Sequence, residues 1–173
     1  LKVNSFTKNE LESSNSNNTL ISFFQIKDNV ELLQTYIDKK VTLLSMSHIP
    51  RTTLAQNMDA LSSQSNIAGY KSTIIAADHS PKYMPLLMTA AGTIKPSKVL
   101  ILGAGVAGLA AIANAKRMGA QVFAFDVRPV VKEQVESLGA NFIEVQSDDD
   151  EGTGEGGYAK EVSEEYKKKQ GLL

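Results

Sequence analysis

The sequence contains no cysteine and no tryptophan, and only two histidines, among its 173 residues. Without cysteine there is no disulfide, thiolate metal site, iron–sulfur cluster or thiol nucleophile. The two histidines, His48 and His79, do not have the spacing of a metal-binding pair. We therefore expect no metal site, and we expect both histidines to be structural or exposed to solvent.

Long apolar runs and an excess of basic charge are also missing. No run approaches the roughly 20 apolar residues that cross a bilayer, and the first residues do not form a signal peptide. The formal net charge is −1, and no basic stripe indicates a surface for nucleic acid. The chain begins with Leu1 and stops just after a charged segment, so we expect it to be a piece of a longer protein.

The first 61 residues alternate between apolar runs and polar segments. Residues 19–24 and 41–46 predict two strands, and the apolar positions within 30–37 repeat with helical spacing. This order predicts part of a small α/β domain over residues 1–61. The Ser/Asn-rich segment 8–18 is very polar, and we predict that it is a loop or a disordered insert.

Residues 62–96 are predicted to form a mainly helical segment that bridges two domains. Thr52 or Thr53 could cap a helix that starts near residue 54 and continues to about residue 77. Prolines interrupt the next segment, in which residues 82–91 are predicted to be helical and residues 92–96 to form a turn.

The most specific pattern in the chain is a glycine motif between two predicted strands. Residues 98–102 (KVLIL) predict a short strand that is buried on both faces of a parallel sheet. The motif GAGVAG follows at residues 103–108, and residues 109–118 predict a helix. Residues 121–125 predict the next strand, which Asp126 follows directly. This order is typical of a βαβ unit that binds a dinucleotide.

Each glycine of the motif has a physical role in such a unit. Gly103 permits the tight turn, Gly105 lets the backbone approach a diphosphate, and Gly108 lets the helix pack close to the strand. The N–H groups at the start of the helix attract negative charge. The predicted diphosphate site therefore includes Val106 and Ala107 together with the three glycines.

Asp126 lies 18 residues beyond Gly108, where an acid can accept hydrogen bonds from the adenosine ribose. Its carboxylate would repel a 2′-phosphate, which favours NAD over NADP. Arg128 leaves an alternative open, because an arginine here could pair with that phosphate. We favour a solvated cation or a contact to the adenine or diphosphate for Arg128. Val127 and Arg128 complete the predicted ribose end of the site.

Residues 131–138 predict a second crossover helix, and residues 141–145 predict a third strand. Residues 97–173 therefore predict the β-α-β-α-β first mononucleotide-binding half of a Rossmann-like parallel sheet, without its second half. The expected fold class is α/β: this truncated half, and part of a second α/β domain joined to it by a long helix.

Several segments together resemble the NAD(H)-binding component, domain I, of proton-translocating NAD(P) transhydrogenase. The resemblance covers about residues 19–170, and more distantly the chain resembles alanine dehydrogenase. Besides the glycine motif, it is carried by PR at 50–51, AQNMD at 55–59, LSSQSNIAGY at 61–70, MTAAG at 88–92, KEQVESLG at 132–139 and GGYAKE at 156–161.

The resemblance implies that this chain holds NADH while a separate domain holds NADP⁺. It further implies that hydride passes directly between the two nicotinamides, and that a transmembrane proton-channel domain couples the transfer to proton translocation. The implied partners are these two domains and a second copy of the chain in a homodimer. The implied location is a peripheral part of a mitochondrial or bacterial inner-membrane complex, on its aqueous side. The chain alone is expected to be inactive.

The resemblance also implies catalytic roles for residues near the nicotinamide. Arg51, Gln56, Asp59 and Ser62 match the family's loop that contacts the nicotinamide and its ribose. Gln56 could orient the carboxamide, Asp59 could fix a ribose hydroxyl or a water, and Arg51 could screen the diphosphate. Spacing alone would favour an ordinary exposed polar region at the start of a helix. Leu54 departs from the family, which usually has arginine at this position.

The acidic, glycine-rich segment 147–158 predicts a mobile surface loop. The resemblance implies that its tyrosine, Tyr158, closes over the bound nucleotide. The alternative is a plain solvated linker.

Two other functions remain open from the sequence. One is a soluble amino-acid dehydrogenase of the alanine dehydrogenase type, which needs a substrate-binding lysine and histidine from an N-terminal region. Neither His48 nor His79 lies in a matching context. The other is a non-catalytic module that senses NAD.

Overall fold

The computed structural model describes residues 1–50, 52–144 and 163 of the chain. Arg51, the predicted mobile loop 147–158 with Tyr158, and the end of the third predicted strand lie outside the described residues. The chain divides into two compact units, Leu1–Ser63 and Gln64–Leu173. In the described ranges, no helix is both long enough and apolar enough to cross a membrane.

The first unit contains the strand–helix–strand arrangement that the sequence predicted. Strand β1 (Thr19–Ser22) pairs in parallel with β2 (Thr42–Ser45), and helix α2 (Val30–Lys39) connects them. The rings of Phe24 and Tyr36 pack edge to face with centroids 5.2 Å apart, in the geometry that aromatic pairs prefer.

The prediction that residues 8–18 form a loop or a disordered insert was wrong for the first part, because helix α1 forms over Lys8–Glu12, whereas residues 13–18 form turns and loop. The Thr7 hydroxyl accepts a hydrogen bond from the N–H of Glu10, and the Glu10 carboxylate accepts one from the N–H of Thr7 at 2.7 Å. This reciprocal capping box satisfies two N–H groups that would otherwise lack partners. Leu11 is completely buried in the core of the unit, so one apolar side chain anchors a polar segment.

Helix α3 spans Ala60–His79, and a 3₁₀ turn over Thr53–Met58 precedes it. A helix therefore starts near residue 54 as predicted, but its first turns are 3₁₀ and not α. The Thr52 side chain makes no capping hydrogen bond. The α-helix begins only after Asp59, whose carboxylate accepts a hydrogen bond from the N–H of Ser62 at 3.0 Å.

The predicted helix over residues 82–91 and the predicted turn over 92–96 were also wrong. Strands β3 (Leu87–Thr89) and β4 (Gly92–Ile94) form an antiparallel hairpin there. Pro85 disfavours a helix because it has no N–H to donate. The Thr89 hydroxyl accepts a hydrogen bond from the N–H of Ala91 at 3.2 Å and stabilises the tight connection.

The second unit contains a parallel three-stranded sheet with the order β5-β6-β7. Strand β5 spans Lys98–Leu102, β6 spans Gln121–Phe125 and β7 spans Asn141–Ile143. Helix α4 (Val106–Arg117) connects the first two strands, and α5 (Lys132–Ser137) follows β6. The predicted α/β class with a parallel Rossmann-like β-α-β-α-β arrangement is confirmed.

Both crossover helices contribute to one core against the sheet. Ile112 of α4 and Val135 of α5 are completely buried there. Val99 and Ile101 pack against this core, whereas Leu100 and Leu102 are 56% and 73% exposed. The expectation that β5 is buried on both faces was therefore wrong for the described residues. Successive strand residues face opposite sides of the sheet, and helices α4 and α5 cover only one of those sides.

Helix α3 crosses α4 through small residues. Gly69 and Thr73 are the buried residues of α3. A Cβ at position 69 would overlap the carbonyl oxygen of Ala107 in the first turn of α4. The Thr73 hydroxyl lies 3.1 Å from the carbonyl oxygen of Gly69 and 3.3 Å from that of Ala111. The two helices therefore meet by direct backbone contact.

Replacing Gly69 with alanine should lower the free energy of unfolding by about 1–3 kcal/mol, the usual cost of inserting a methyl group where there is no room. The measurement is denaturant unfolding of the intact protein. Gly105→Ala is the matched control, because the nearest atom to its added Cβ, on the Arg128 side chain, is 4.0 Å away. Equal stability of the two variants would contradict the close helix crossing.

Candidate functional site

The loop between β5 and α4 is a tight turn at the end of a parallel strand. Gly103 has φ +92°, a value that residues with side chains rarely adopt. Its N–H donates to the carbonyl oxygen of Phe125 at 2.8 Å. The turn is therefore attached to the end of the neighbouring strand β6, and helix α4 starts three residues later.

The first turn of α4 packs tightly against the loop on one side and is open on the other. A Cβ at Gly108 would overlap the carbonyl oxygen of Gly103. Among the described residues, a Cβ at Gly105 would meet no atom closer than Arg128 Nη2, at 4.0 Å. Gly105 is the N-cap and offers no capping side chain. The N–H groups of Val106, Ala107 and Gly108 therefore have no partner within the helix, which suits an anion.

Asp126 lies at the carboxyl end of β6 and holds the glycine loop. Its side chain is 4% exposed. Oδ2 accepts the N–H of Ala104 at 2.6 Å, and Oδ1 accepts the N–H of Arg128 at 2.9 Å. The carboxylate thus connects the loops that follow two adjacent strands. Sequence reasoning missed Ala104, because its role depends on its backbone N–H and not on its side chain.

The guanidinium of Arg128 donates two parallel hydrogen bonds to the same carboxylate. Nε donates to Oδ1 and Nη2 donates to Oδ2, each at 2.9 Å. The Arg128 side chain is 14% exposed. The expectation of a solvated cation was wrong, because the Arg128 side chain is largely buried and paired with Asp126; a contact to the ligand stays a prediction. Val127, between them, packs with Phe125 and Ile143.

These contacts shift the acidity of both partners. Burial raises the pKa of Asp126, but the hydrogen bonds from Arg128 and from the N–H of Ala104 outweigh it, and the pKa lies below its ordinary value. The hydrogen bonds to Asp126 raise the pKa of Arg128 despite its burial. At neutral pH the site therefore contains a carboxylate and a guanidinium with both charges present.

A second group of predicted site residues lies in the first unit, around the start of α3. Asp59 Oδ1 accepts the N–H of Ser62 at 3.0 Å, and Oδ2 accepts its hydroxyl at 2.6 Å. Asp59 is therefore the N-cap of α3, a role that sequence reasoning missed. Gln56 is exposed in the preceding 3₁₀ turn, and its carbonyl oxygen accepts the N–H of Asp59 at 3.2 Å.

The cap decides how Asp59 is to be tested. Removing the carboxylate with alanine takes away a hydrogen bond worth about 0.5–2 kcal/mol to the helix. Asparagine can still accept the hydrogen bond from the N–H of Ser62 while it removes the charge.

Across residues 1–50 and 52–144, no cluster of acidic and histidine side chains could hold a metal ion.

The low pKa of Asp126 predicts a particular pH dependence of stability. The pKa of Asp126 is lower in the folded protein than in the unfolded chain. The ionised carboxylate therefore stabilises the fold fully above the unfolded-state pKa of about 4. This stabilisation is lost as the pH falls from there through the pKa of the folded state. The difference in unfolding free energy between wild type and Asp126→Asn should be constant from about pH 7 to pH 5 and shrink below about pH 4. A difference that stays constant down to about pH 3 would contradict the stabilised carboxylate.

Two family models match the chain. Residues 1–68 match the alanine dehydrogenase/PNT N-terminal domain, and residues 72–170 match the alanine dehydrogenase/PNT C-terminal domain. The chain therefore belongs to the alanine dehydrogenase/PNT family.

Within this family the chain is similar to transhydrogenase subunits, which confirms the resemblance inferred from its motifs. It is 46% identical over 171 residues to NAD(P) transhydrogenase subunit alpha of Cereibacter sphaeroides, covering 98% of this chain and 33% of that protein. It is also 46% identical over 168 residues to the subunit alpha of Haemophilus influenzae, covering 97% of this chain and 33% of that protein. The chain thus spans about a third of the length of these relatives.

Solved structures of a transhydrogenase and of an alanine dehydrogenase also match the chain. The transhydrogenase from Sinorhizobium meliloti matches with a TM-score of 0.79 and 45% identity, over 83% of this chain and 43% of that one. An L-alanine dehydrogenase matches with a TM-score of 0.64 and 24% identity, over 82% of this chain and 40% of that one. The second likeness concerns the fold alone.

Proposed function

We propose that this chain holds NAD(H) in a proton-translocating NAD(P) transhydrogenase, which exchanges hydride with NADP(H) bound on another domain. One observation carries the proposal: the open N-terminus of α4 and the Asp126 carboxylate lie at the ends of adjacent parallel strands, joined by the hydrogen bond from Ala104. This edge of a parallel sheet is where α/β proteins bind dinucleotides.

The geometry fits a dinucleotide with a diphosphate and a free ribose diol. The N–H groups of Val106, Ala107 and Gly108 supply donors for the diphosphate, and the open side of Gly105 leaves room for its approach. The carboxylate of Asp126 supplies acceptors for the ribose hydroxyls. Its negative charge favours NAD(H) over NADP(H), because a 2′-phosphate would lie beside it.

The proposal for the nicotinamide end rests on the similarity between residues 51–62 and the family's loop that contacts the nicotinamide. We propose that Arg51, Gln56, Asp59 and Ser62 position the nicotinamide and its ribose, and that Tyr158 closes over the nucleotide. The dinucleotide supplies the hydride. The protein contributes position and polarity, and orientation of two reactants can account for about 7–11 kcal/mol of a bimolecular barrier.

The proposed partners follow from the similarity to transhydrogenase alpha subunits. They are an NADP(H)-binding domain, a transmembrane proton-channel domain and a second copy of this chain. We place the chain on the aqueous side of a mitochondrial or bacterial inner membrane, as a peripheral part of that complex. The likeness to L-alanine dehydrogenase supports no separate activity, because at 24% identity it concerns the fold.

Replacing Gly105 with alanine should weaken NADH binding by about tenfold or more, because the added methyl group lies where the diphosphate approaches the backbone. The measurement is NADH fluorescence titration of the intact protein. Adenosine, which has no phosphate, is the matched ligand control, and its affinity should be unchanged. Unchanged NADH affinity in a folded Gly105→Ala variant would remove the α4 N-terminus from the site.

Replacing Gln56 with alanine should slow hydride transfer from NADH to NADP⁺ in the intact enzyme by about tenfold or more, and change the affinity for NADH by less than about threefold. The reason is that Gln56 is proposed to orient the nicotinamide and not to hold the rest of the dinucleotide. Single-turnover transfer rates measure the effect. Asn57→Ala, at the adjacent exposed amide, is the control and should transfer hydride at the wild-type rate. Equal rates for Gln56→Ala and wild type would exclude Gln56.

A further inference from the structure

The third donor proposed for the diphosphate is the N–H of Gly108. The next residue, Leu109, already donates within the helix, to the carbonyl oxygen of Gly105 at 2.8 Å. The N–H of Gly108 and the carbonyl of Ala107 belong to one planar trans peptide unit, in which the two groups point in opposite directions. A contact that fixes the carbonyl of Ala107 therefore also fixes the direction of the Gly108 donor.

Gly69 of helix α3 makes such a contact. A Cβ built on Gly69 would overlap the carbonyl oxygen of Ala107, and it would lie 2.9 Å from both the carbonyl carbon of Ala107 and the Cβ of Ala110. The backbone of α3 thus touches the Ala107–Gly108 peptide with no side chain between them. The atoms in the way belong to backbone and not to a flexible side chain, so a larger residue at position 69 must shift one of the two helices.

The glycine loop contacts the same peptide. A Cβ at Gly108 would overlap the carbonyl oxygen of Gly103, and Gly103 is itself attached to β6 through its hydrogen bond to Phe125. Two close backbone contacts, one with α3 and one with the glycine loop, therefore hold the Ala107–Gly108 peptide. Only the second of these contacts comes from the glycine motif.

We propose that Gly69 is a positioning residue for the diphosphate, because it lets α3 hold the peptide that carries the Gly108 donor. The inference rests on the proposed function. A larger residue at position 69 would shift this peptide, so that the N–H of Gly108 would no longer point to the same place as those of Val106 and Ala107. The adenosine end of the dinucleotide does not use this donor and should bind as before.

The test compares ADP with adenosine in wild type and in Gly69→Ala, by displacement of NADH from the intact protein after the NADH affinity of each variant has been measured. The affinity for ADP should fall by about tenfold, the factor expected when one hydrogen bond to a charged group is lost. The affinity for adenosine should change by less than about twofold. A merely smaller fraction of binding-competent protein would weaken both ligands by the same factor, so the preference for ADP over adenosine reports the positioning role.

Thr73→Val is the matched control in the same helix crossing. It keeps the shape of the side chain and removes the hydroxyl that lies 3.3 Å from the carbonyl oxygen of Ala111. It should therefore lower the stability and leave the preference for ADP unchanged. Ala110→Val disturbs the contact from the side of α4, because it adds two methyl groups next to Gly69. It should lower the preference as Gly69→Ala does, and it provides the test if Gly69→Ala does not fold.

The outcomes distinguish the inference from the function on which it rests. A preference for ADP that falls in Gly69→Ala or Ala110→Val, but not in Thr73→Val, supports the inference. An unchanged preference in a folded Gly69→Ala or Ala110→Val variant, or an equal fall in Thr73→Val, would overturn the role of Gly69 and leave NAD(H) binding intact. A wild-type protein that binds neither NADH nor ADP would overturn the proposed function itself.

Discussion

One carboxylate connects the parts of the second unit from which a dinucleotide site can be built. Asp126 follows β6, receives the N–H of Ala104 from the loop after β5, and pairs with Arg128 in the loop that leads to α5. Parallel strands have no hairpin to fix the loops at their ends relative to each other. The buried carboxylate of Asp126 accepts hydrogen bonds from the loops after β5 and β6 and so connects them. The same carboxylate holds the short turn before α4.

The sequence predicted the elements around the glycine motif well because local chemistry determines them. Strands β5 and β6 have the predicted bounds, Lys98–Leu102 and Gln121–Phe125, since a glycine directly follows the first apolar run and another lies just before the second. The hairpin of β3 and β4 was missed because all its residues are exposed and leave no alternating pattern. Helix α1 was missed because a capping box and one buried leucine outweigh a polar composition.

The sequence predicted the positions of the glycine loop and Asp126 at adjacent strand ends, but not their contacts. The spacing between the glycines and Asp126 identified the acid, because a βαβ unit places it at the adjacent strand end. No spacing rule indicated that the Arg128 guanidinium occupies both carboxylate oxygens, since a side-chain rotamer decides this. The cap made by Asp59 on Ser62 depends on where α3 begins, and a 3₁₀ turn moved that start beyond the predicted position.

The crossing of α3 over α4 brings a further consequence for how this region comes apart. Gly69 meets Ala107 there with no side chain between the two backbones, so dispersion between closely packed atoms contributes to the attraction beside the hydrogen bond from Thr73 to Ala111. That attraction falls steeply with separation, and a gap of about 1 Å already removes up to half of it. We therefore expect the contact between Gly69 and Ala107 to be lost over a very short separation of the two helices.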